Sequence, residues 1–279
     1  MMLFDCHAHL DREELSTFLE SFKAGKGSHK FEIITNSVDQ SSSVRNLQIS
    51  KEIPSVHPFV GIHPQIFGFA GENGSKFEAD HLEKQLERVG KLVKQASGVG
   101  EIGIDPKYSQ IELQEYLFTK QLEIAEKECK PISIHSRNSV RRILEILDSY
   151  SLKKGILFHW FAGSEEELHR IQKKGYFCSF GPALLYSNKL KKLLKVCNSN
   201  VIMAETDSPL HVKRIDLLAH CTTPFDVGSV IFSMALNRNT SFESMEELNM
   251  ENALNFLFDS HTTSNPNEQR DSSRFEPPV

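Results

Sequence analysis

The sequence is short of the signatures that would make it a disulfide scaffold, a membrane span or a nucleic-acid coat. Its five cysteines, Cys6, Cys129, Cys178, Cys197 and Cys221, are scattered, odd in number and without any C-x-x-C spacing. A disulfide framework and a structural zinc knuckle are therefore not expected, and a reducing compartment is. No apolar run approaches the roughly eighteen residues of a membrane helix, so no membrane partner is expected. Asp5 interrupts the N-terminal apolar stretch at once, without a basic region ahead of it, so no secretory leader is expected either. Basic charge is not in excess: 32 Lys and Arg stand against 37 Asp and Glu, a net charge of -5. A protein that coats long nucleic acid carries the opposite balance, so any such contact here should be local. These absences point to a soluble intracellular protein of the cytoplasm or nucleus, monomeric by default and with no obligate protein partner.

What is present is a repeating pattern. Eight β-rich runs, at 3–10, 31–37, 56–63, 98–105, 131–137, 155–161, 175–181 and 200–207, alternate with amphipathic stretches. Helical spacing of apolar residues appears in 11–24, 80–95, 110–129, 138–150, 164–174 and 187–197, and 224–258 reads as two more helices. Eight strands alternating with helices imply parallel β/α units. With 279 residues, closure into a single-domain α/β (β/α)8 TIM barrel over 1–261 is expected, followed by a polar, disordered tail at 262–279. The rival open doubly wound sheet needs a glycine-rich phosphate turn after its first strand, and "HLDREE" is not one. Loops at 64–79 and 208–223 interrupt the pattern and belong at the barrel's top face.

The strand ends carry the chemistry. "LFDCHAHL" (3–10) alternates Asp5, His7 and His9 against Phe4, Cys6 and Ala8, and alternation on a strand means one shared face. Further along come His63 in "GIHP", Glu101 in "GEIGID", His135 and Arg137 in "ISIHSR", His159 in "HWFAGS" and Asp207 in "ETDSP". Taken singly, each has a plain structural reading: a hydrogen-bonded core histidine, a salt-bridged Glu, a helix cap. Gathered at one barrel mouth, so many carboxylates and imidazoles would repel or stay unsatisfied unless divalent cations pair with them. Four histidines and two carboxylates suffice for two ions, and two ions with a shared hydroxide are apparatus for hydrolysing phosphate esters. Ligand identity leaves Zn, Mn, Mg, Co and Ni open.

"DCHAHL", "GIHP", "GEIGID", "ISIHSR", "HWFAGS" and "ETDSP" stand in the order found in the TatD family of metal-dependent deoxyribonucleases, and the chain resembles that family, its animal paralogues in particular, over residues 3–258. The resemblance implies that His7, His9 and Asp207 hold one ion, His135 and His159 a second, and Glu101 bridges them. It also implies a DNA substrate, single-stranded or with abasic sites, degraded by 3′-to-5′ exonuclease action and by abasic-site cleavage. The loop "HVKRIDLLAHCTTP" departs from the family's R-N-x-P stretch, which touches substrate detail.

On this reading Asp207 accepts the nucleophile's proton, Arg137 contacts phosphate, and His63 contacts phosphate or protonates the leaving oxygen. Phe67, Phe69 and Tyr108 are candidates for stacking a base, and "KLKKLLK" (189–195) for steering a polynucleotide; both sets fit ordinary packing or an exposed helix as well. Two rivals stand beside the nuclease. One is a metallohydrolase of another bond: an aminoacyl-tRNA deacylase, an amidase or a phosphotriesterase. The other is an inactive binding module, which retention of all six ligand positions argues against.

Overall fold

The computed structural model describes residues 2–25, 30–68, 79–212 and 220–259. All eight expected strands form: β1 (Met2–Ala8), β2 (Lys30–Asn36), β3 (Val56–Val60), β4 (Gly98–Gly103), β5 (Ile132–His135), β6 (Ile156–Phe158), β7 (Phe177–Phe180) and β8 (Ile202–Ala204). They run parallel in one sheet whose spatial order is the sequence order. The first and last strands meet at the C-terminal rim. There the Asp207 N–H donates to the His7 carbonyl at 2.8 Å and the His9 N–H to the Ser208 carbonyl at 2.8 Å, and Ala8 bridges Ser208 in parallel. Deeper in the seam, Asn249 accepts from the Ala204 N–H at 2.7 Å and donates to the Phe4 carbonyl at 2.9 Å. The fold is a (β/α)8 barrel.

Helices α1 (Ser16–Lys23), α2 (Gln40–Glu52), α3 (Ala79–Leu92), α4 (Ile111–Lys127), α5 (Val140–Leu147), α6 (Glu165–Lys173) and α7 (Asn188–Val196) follow strands one to seven in turn. After β8 come a short antiparallel pair, β9 (His211–Val212) and β10 (His220–Cys221), then α8 (Val227–Arg238) and α9 (Phe242–Phe258). The α5 helix illustrates why these segments are helical. Val140, Ile143, Leu144 and Leu147 recur at i, i+3, i+4 and i+7 and are buried, while Arg141, Arg142 and Glu145 face solvent. Each such buried side chain contributes about 1.5–3 kcal/mol. Ser164 and Glu167 form a capping box at the start of α6, satisfying N–H groups that the helix leaves unpaired.

The α2 helix, over 40–52, is not among the stretches marked by helical apolar spacing. Its buried face includes Ser42, Ser43 and Asn46 beside Leu47, so apolar periodicity is missing. The polar residues bond to the barrel instead. Asn46 donates to the Asn36 carbonyl at 3.1 Å and to Ser37 Oγ at 2.9 Å, and accepts from Thr35 Oγ1 at 2.9 Å. That peg fixes the C-terminal end of β2 under the site. Two glutamines of α4 act alike. Gln121 brackets Ile62, accepting from its N–H at 2.7 Å and donating to its carbonyl at 3.0 Å. Gln114 accepts from the Asp105 N–H at 2.9 Å.

Of the sequence expectations, the tail 262–279, Phe69 and the inner parts of the two long loops lie outside the described residues. Among the described residues no helix is long and apolar enough to cross a membrane.

Candidate metal centre

Glu101, buried in β4, is the hub of the barrel mouth. Its Oε1 lies 2.7 Å from His159 Nε2, 2.8 Å from His135 Nδ1 and 3.4 Å from His63 Nε2. Its Oε2 lies 3.5 Å from both His7 Nε2 and His9 Nε2. Asp207 Oδ1 completes that second side, 3.2 Å from His9 Nε2 and 3.7 Å from His7 Nε2. The seven residues come from β1, β4 and β5, and from the turns after β1, β3, β6 and β8. Parallel strands bring their C-terminal ends together, so groups up to 200 positions apart share one rim. A cis peptide joins Gly100 to Glu101, and Asp207 sits at φ 50. That left-handed backbone is one Asp tolerates better than most residues.

The hydrogen-bond network fixes which ring nitrogen carries a proton. His9 Nδ1 lies 3.0 Å from the Asn36 carbonyl, which can only accept, so Nδ1 is the donor and Nε2 turns a lone pair to the centre. His135 Nε2 lies 2.9 Å from the Asp105 carboxylate, leaving Nδ1 as the lone pair toward Glu101. His159 Nδ1 faces Glu205 Oε1 at 3.6 Å, both atoms being buried without a hydrogen-bond partner. His7 holds Ser133 Oγ at 3.1 Å through Nδ1, and its buried Nε2 is unpartnered. His63 is the exception. Its Nδ1 accepts from the Gln65 N–H at 3.0 Å, so Nε2 presents a proton to Glu101. His63, Glu101 and His135 are close enough to chelate, but this tautomer makes His63 a donor at the site rather than a ligand.

Imidazole lone pairs aimed at carboxylate oxygens need positive charge between them. Protons are one source. Burial would push the Glu101 carboxyl up, yet the His159 and His63 rings and, once their rings are protonated, hydrogen bonds from His135 and His159 hold it well below the usual carboxylate range. Burial disfavours the charged His159 ring, but Glu101 and Glu205 raise it well above an ordinary imidazole. Burial and the neighbouring His159 lower His7. A divalent cation is the other source, and the donor set fits one. Ligand atoms about 2.1 Å from a tetrahedral ion are about 3.4 Å apart, and the four N···O separations around Asp207 and Glu101 Oε2 are 3.2, 3.5, 3.5 and 3.7 Å. Three of those spacings are too long for good hydrogen bonds, and all four suit atoms sharing an ion. His7, His9 and Asp207, and likewise His7, Glu101 and His159, lie close enough to chelate.

Arg137 lies on the cleft wall, half-exposed, with Nε 3.3 Å from Asp105 Oδ2. It is both salt-bridged and within the site. Asp5 does not converge with His7 and His9: a register shift follows it in β1. Its buried carboxylate accepts from Thr206 Oγ1 at 2.6 Å and from the Thr206 N–H at 2.9 Å, anchoring the segment that carries Asp207. Phe67 belongs to the hydrophobic core. Tyr108 meets His63 edge-on at 5.8 Å. Of the basic stretch, Lys189 lines the cleft, while Leu190, Leu193 and Leu194 are buried. Sequence reasoning missed Asp105 and Glu205 as partners of His135 and His159; their shared face with Glu101 and Asp207 was the only signal. The cleft encloses about 680 Å³, ample for a small-molecule-sized ligand.

Fold and site together define a class: a (β/α)8 barrel hydrolase with a buried histidine–carboxylate centre suited to divalent metal. A family model of TatD related DNases matches residues 4–258, and the chain belongs to that family. It is 24% identical to human deoxyribonuclease TATDN3 over 260 residues, 90% of this chain and 93% of that one. It is 26% identical to a metal-dependent hydrolase of Methanocaldococcus jannaschii over 257 residues, covering 91% and 96% of the two chains. Among solved structures, YjjV, a TatD homologue from Escherichia coli, superposes with a TM-score of 0.80 at 21% identity, covering 91% of this chain and 97% of that one.

Proposed function

We propose that this chain is a divalent-metal-dependent deoxyribonuclease that shortens single-stranded DNA from its 3′ end and cuts at abasic sites. The observation carrying the reading is the split of Glu101, with Oε1 toward His135 and His159 and Oε2 toward His7 and His9. Two ions would then be held by His7, His9 and Asp207 on one side and by His135 and His159 on the other, with Glu101 between. Two divalent cations so held would lower the pKa of bound water and offset charge on a phosphate.

The chain's own groups supply the rest. Asp207, whose side chain is the more exposed of the two central carboxylates at 23% against 4% for Glu101, takes the proton of the attacking water. His63 Nε2–H, a ring donor aimed inward, stabilises the departing oxygen by a hydrogen bond, and that oxygen takes up the proton that Asp207 removes from the water. Arg137 on the wall pairs with a non-bridging phosphate oxygen, giving up its bond to Asp105. The hydrolase class follows from family membership, and the named relative TATDN3 favours DNA.

The test is cleavage of 5′-labelled single-stranded DNA and of an abasic-site duplex with added Mg²⁺, Mn²⁺ or Zn²⁺, beside EDTA and Glu101→Ala controls. Stepwise shortening from the 3′ end and abasic nicking, lost in both controls, is the expected result. Intact DNA in every metal, from protein that measurably holds ions, overturns the nuclease and moves the site to another ester or an amide.

A further inference from the structure

We propose that Trp160 is a stacking platform for an unpaired nucleobase of the strand being cut, a role that rests on the nuclease reading above. Trp160 is the chain's single tryptophan and directly follows His159. It lines the same cleft as Glu101, His135, Arg137 and Asp207. Its backbone stands at φ 44, a left-handed conformation that a bulky residue holds only where its surroundings impose it.

Trp160 is neither part of the hydrophobic core nor among the partly buried residues packed against it. Its six-membered ring rests instead on the backbone of Gly181, where a Cβ would come within 2.6 Å of Cζ3 and 2.7 Å of Cε3. The missing side chain at Gly181 makes a seat for the indole beside β7. A large ring held against backbone at the cleft wall suits a flat apolar ligand better than core packing does.

Three cations, Arg12, Arg137 and Lys189, line the cleft with it. Cations and an aromatic ring in one cleft are the combination by which proteins hold single strands without reading sequence. Inside a duplex no base face is free, because each base is covered by its neighbours. The indole therefore discriminates by strandedness, favouring a frayed or single-stranded end over paired DNA.

Being the only tryptophan, Trp160 reports on itself. Metal-loaded protein is titrated with a phosphorothioate single strand of twelve thymidines, and with an abasic phosphorothioate strand of equal length and charge, following tryptophan emission and the anisotropy of a labelled strand. The base-bearing strand is expected to quench emission and the abasic strand to leave it nearly unchanged. Trp160→Phe is expected to bind within about threefold of wild type, and Trp160→Leu, which keeps an apolar side chain over Gly181 but cannot stack, to weaken binding about 5- to 150-fold. Equal quenching by both strands, or undiminished affinity in a folded Trp160→Leu protein, overturns the stacking role and leaves the nuclease standing. Failure of wild type to bind either strand removes the nucleic-acid reading of the cleft, and Trp160's role with it.

Discussion

Glu205 stands directly behind His159, with Oε1 3.6 Å from Nδ1, while its Oε2 accepts from Ser179 Oγ at 2.5 Å. A buried carboxylate set behind an imidazole orients the ring and strengthens it as a ligand.

Replacing that carboxylate isosterically with Glu205→Gln is expected to cost about 10–100-fold in metal affinity while the barrel stays folded. Metal content after dialysis against graded chelator, beside an unchanged far-ultraviolet circular dichroism spectrum, measures this. Wild-type retention of metal would remove Glu205 from the centre.

His63 makes the opposite case. Its tautomer presents a proton to the site, so His63→Asn should leave metal content intact and lower kcat by about 10²–10³-fold. If the variant instead loses metal in proportion to activity, His63 is a ligand and the tautomer assignment is wrong.

At Gly103 a Cβ would lie 1.9 Å from the His135 carbonyl oxygen, and the backbone is at φ 156. The obstacle is backbone, which cannot swing aside as a flexible side chain does. Gly103→Ala should destabilise the fold by about 3–5 kcal/mol, read as a lower denaturant midpoint at unchanged slope. A midpoint near that of wild type would mean that β4 and β5 can separate locally.

Asp39 caps α2, accepting from the Ser42 N–H and Ser42 Oγ, each at 2.8 Å, and from Ser41 Oγ at 2.9 Å. Burial would raise its carboxyl, but these bonds outweigh it and hold the carboxyl below the ordinary aspartate value. Its contribution is therefore complete above the unfolded value near 3.8 and lost as pH falls through the lower folded one. Asp39→Ala should cost about 1 kcal/mol at neutral pH, and the gap from wild type should narrow at acid pH. Denaturation at neutral and acid pH decides it; a gap that widens on acidification would contradict the sign.

The barrel was legible in the sequence because its strands are short apolar runs set between amphipathic helices, and every one of the eight formed where expected. The ring of His7, His9, Glu101, His135, His159 and Asp207 was legible because a parallel barrel places every strand end on one rim. What escaped was held by polar contacts across elements. The α2 helix hides behind Asn46, whose bonds to Thr35, Asn36 and Ser37 replace the apolar stripe that marks other helices. Asp5 shares a period with His7, yet the register shift in β1 hands its carboxylate to Thr206. Period alone cannot say which partner a buried polar group finds. The tautomer of His63 likewise depends on one backbone N–H, that of Gln65, in a turn the sequence leaves open.

The seam between β1 and β8 ties the two ends of the barrel across 201 positions, Asp5 to Thr206. His7 and His9 are made about 200 residues before Asp207 and Ser208, whose backbone aligns them, so those bonds cannot form until nearly the whole barrel exists. A growing chain thus has most of the donors but not the assembled centre. Whatever cutting power the site has is withheld by topology from any copy whose barrel is not yet closed.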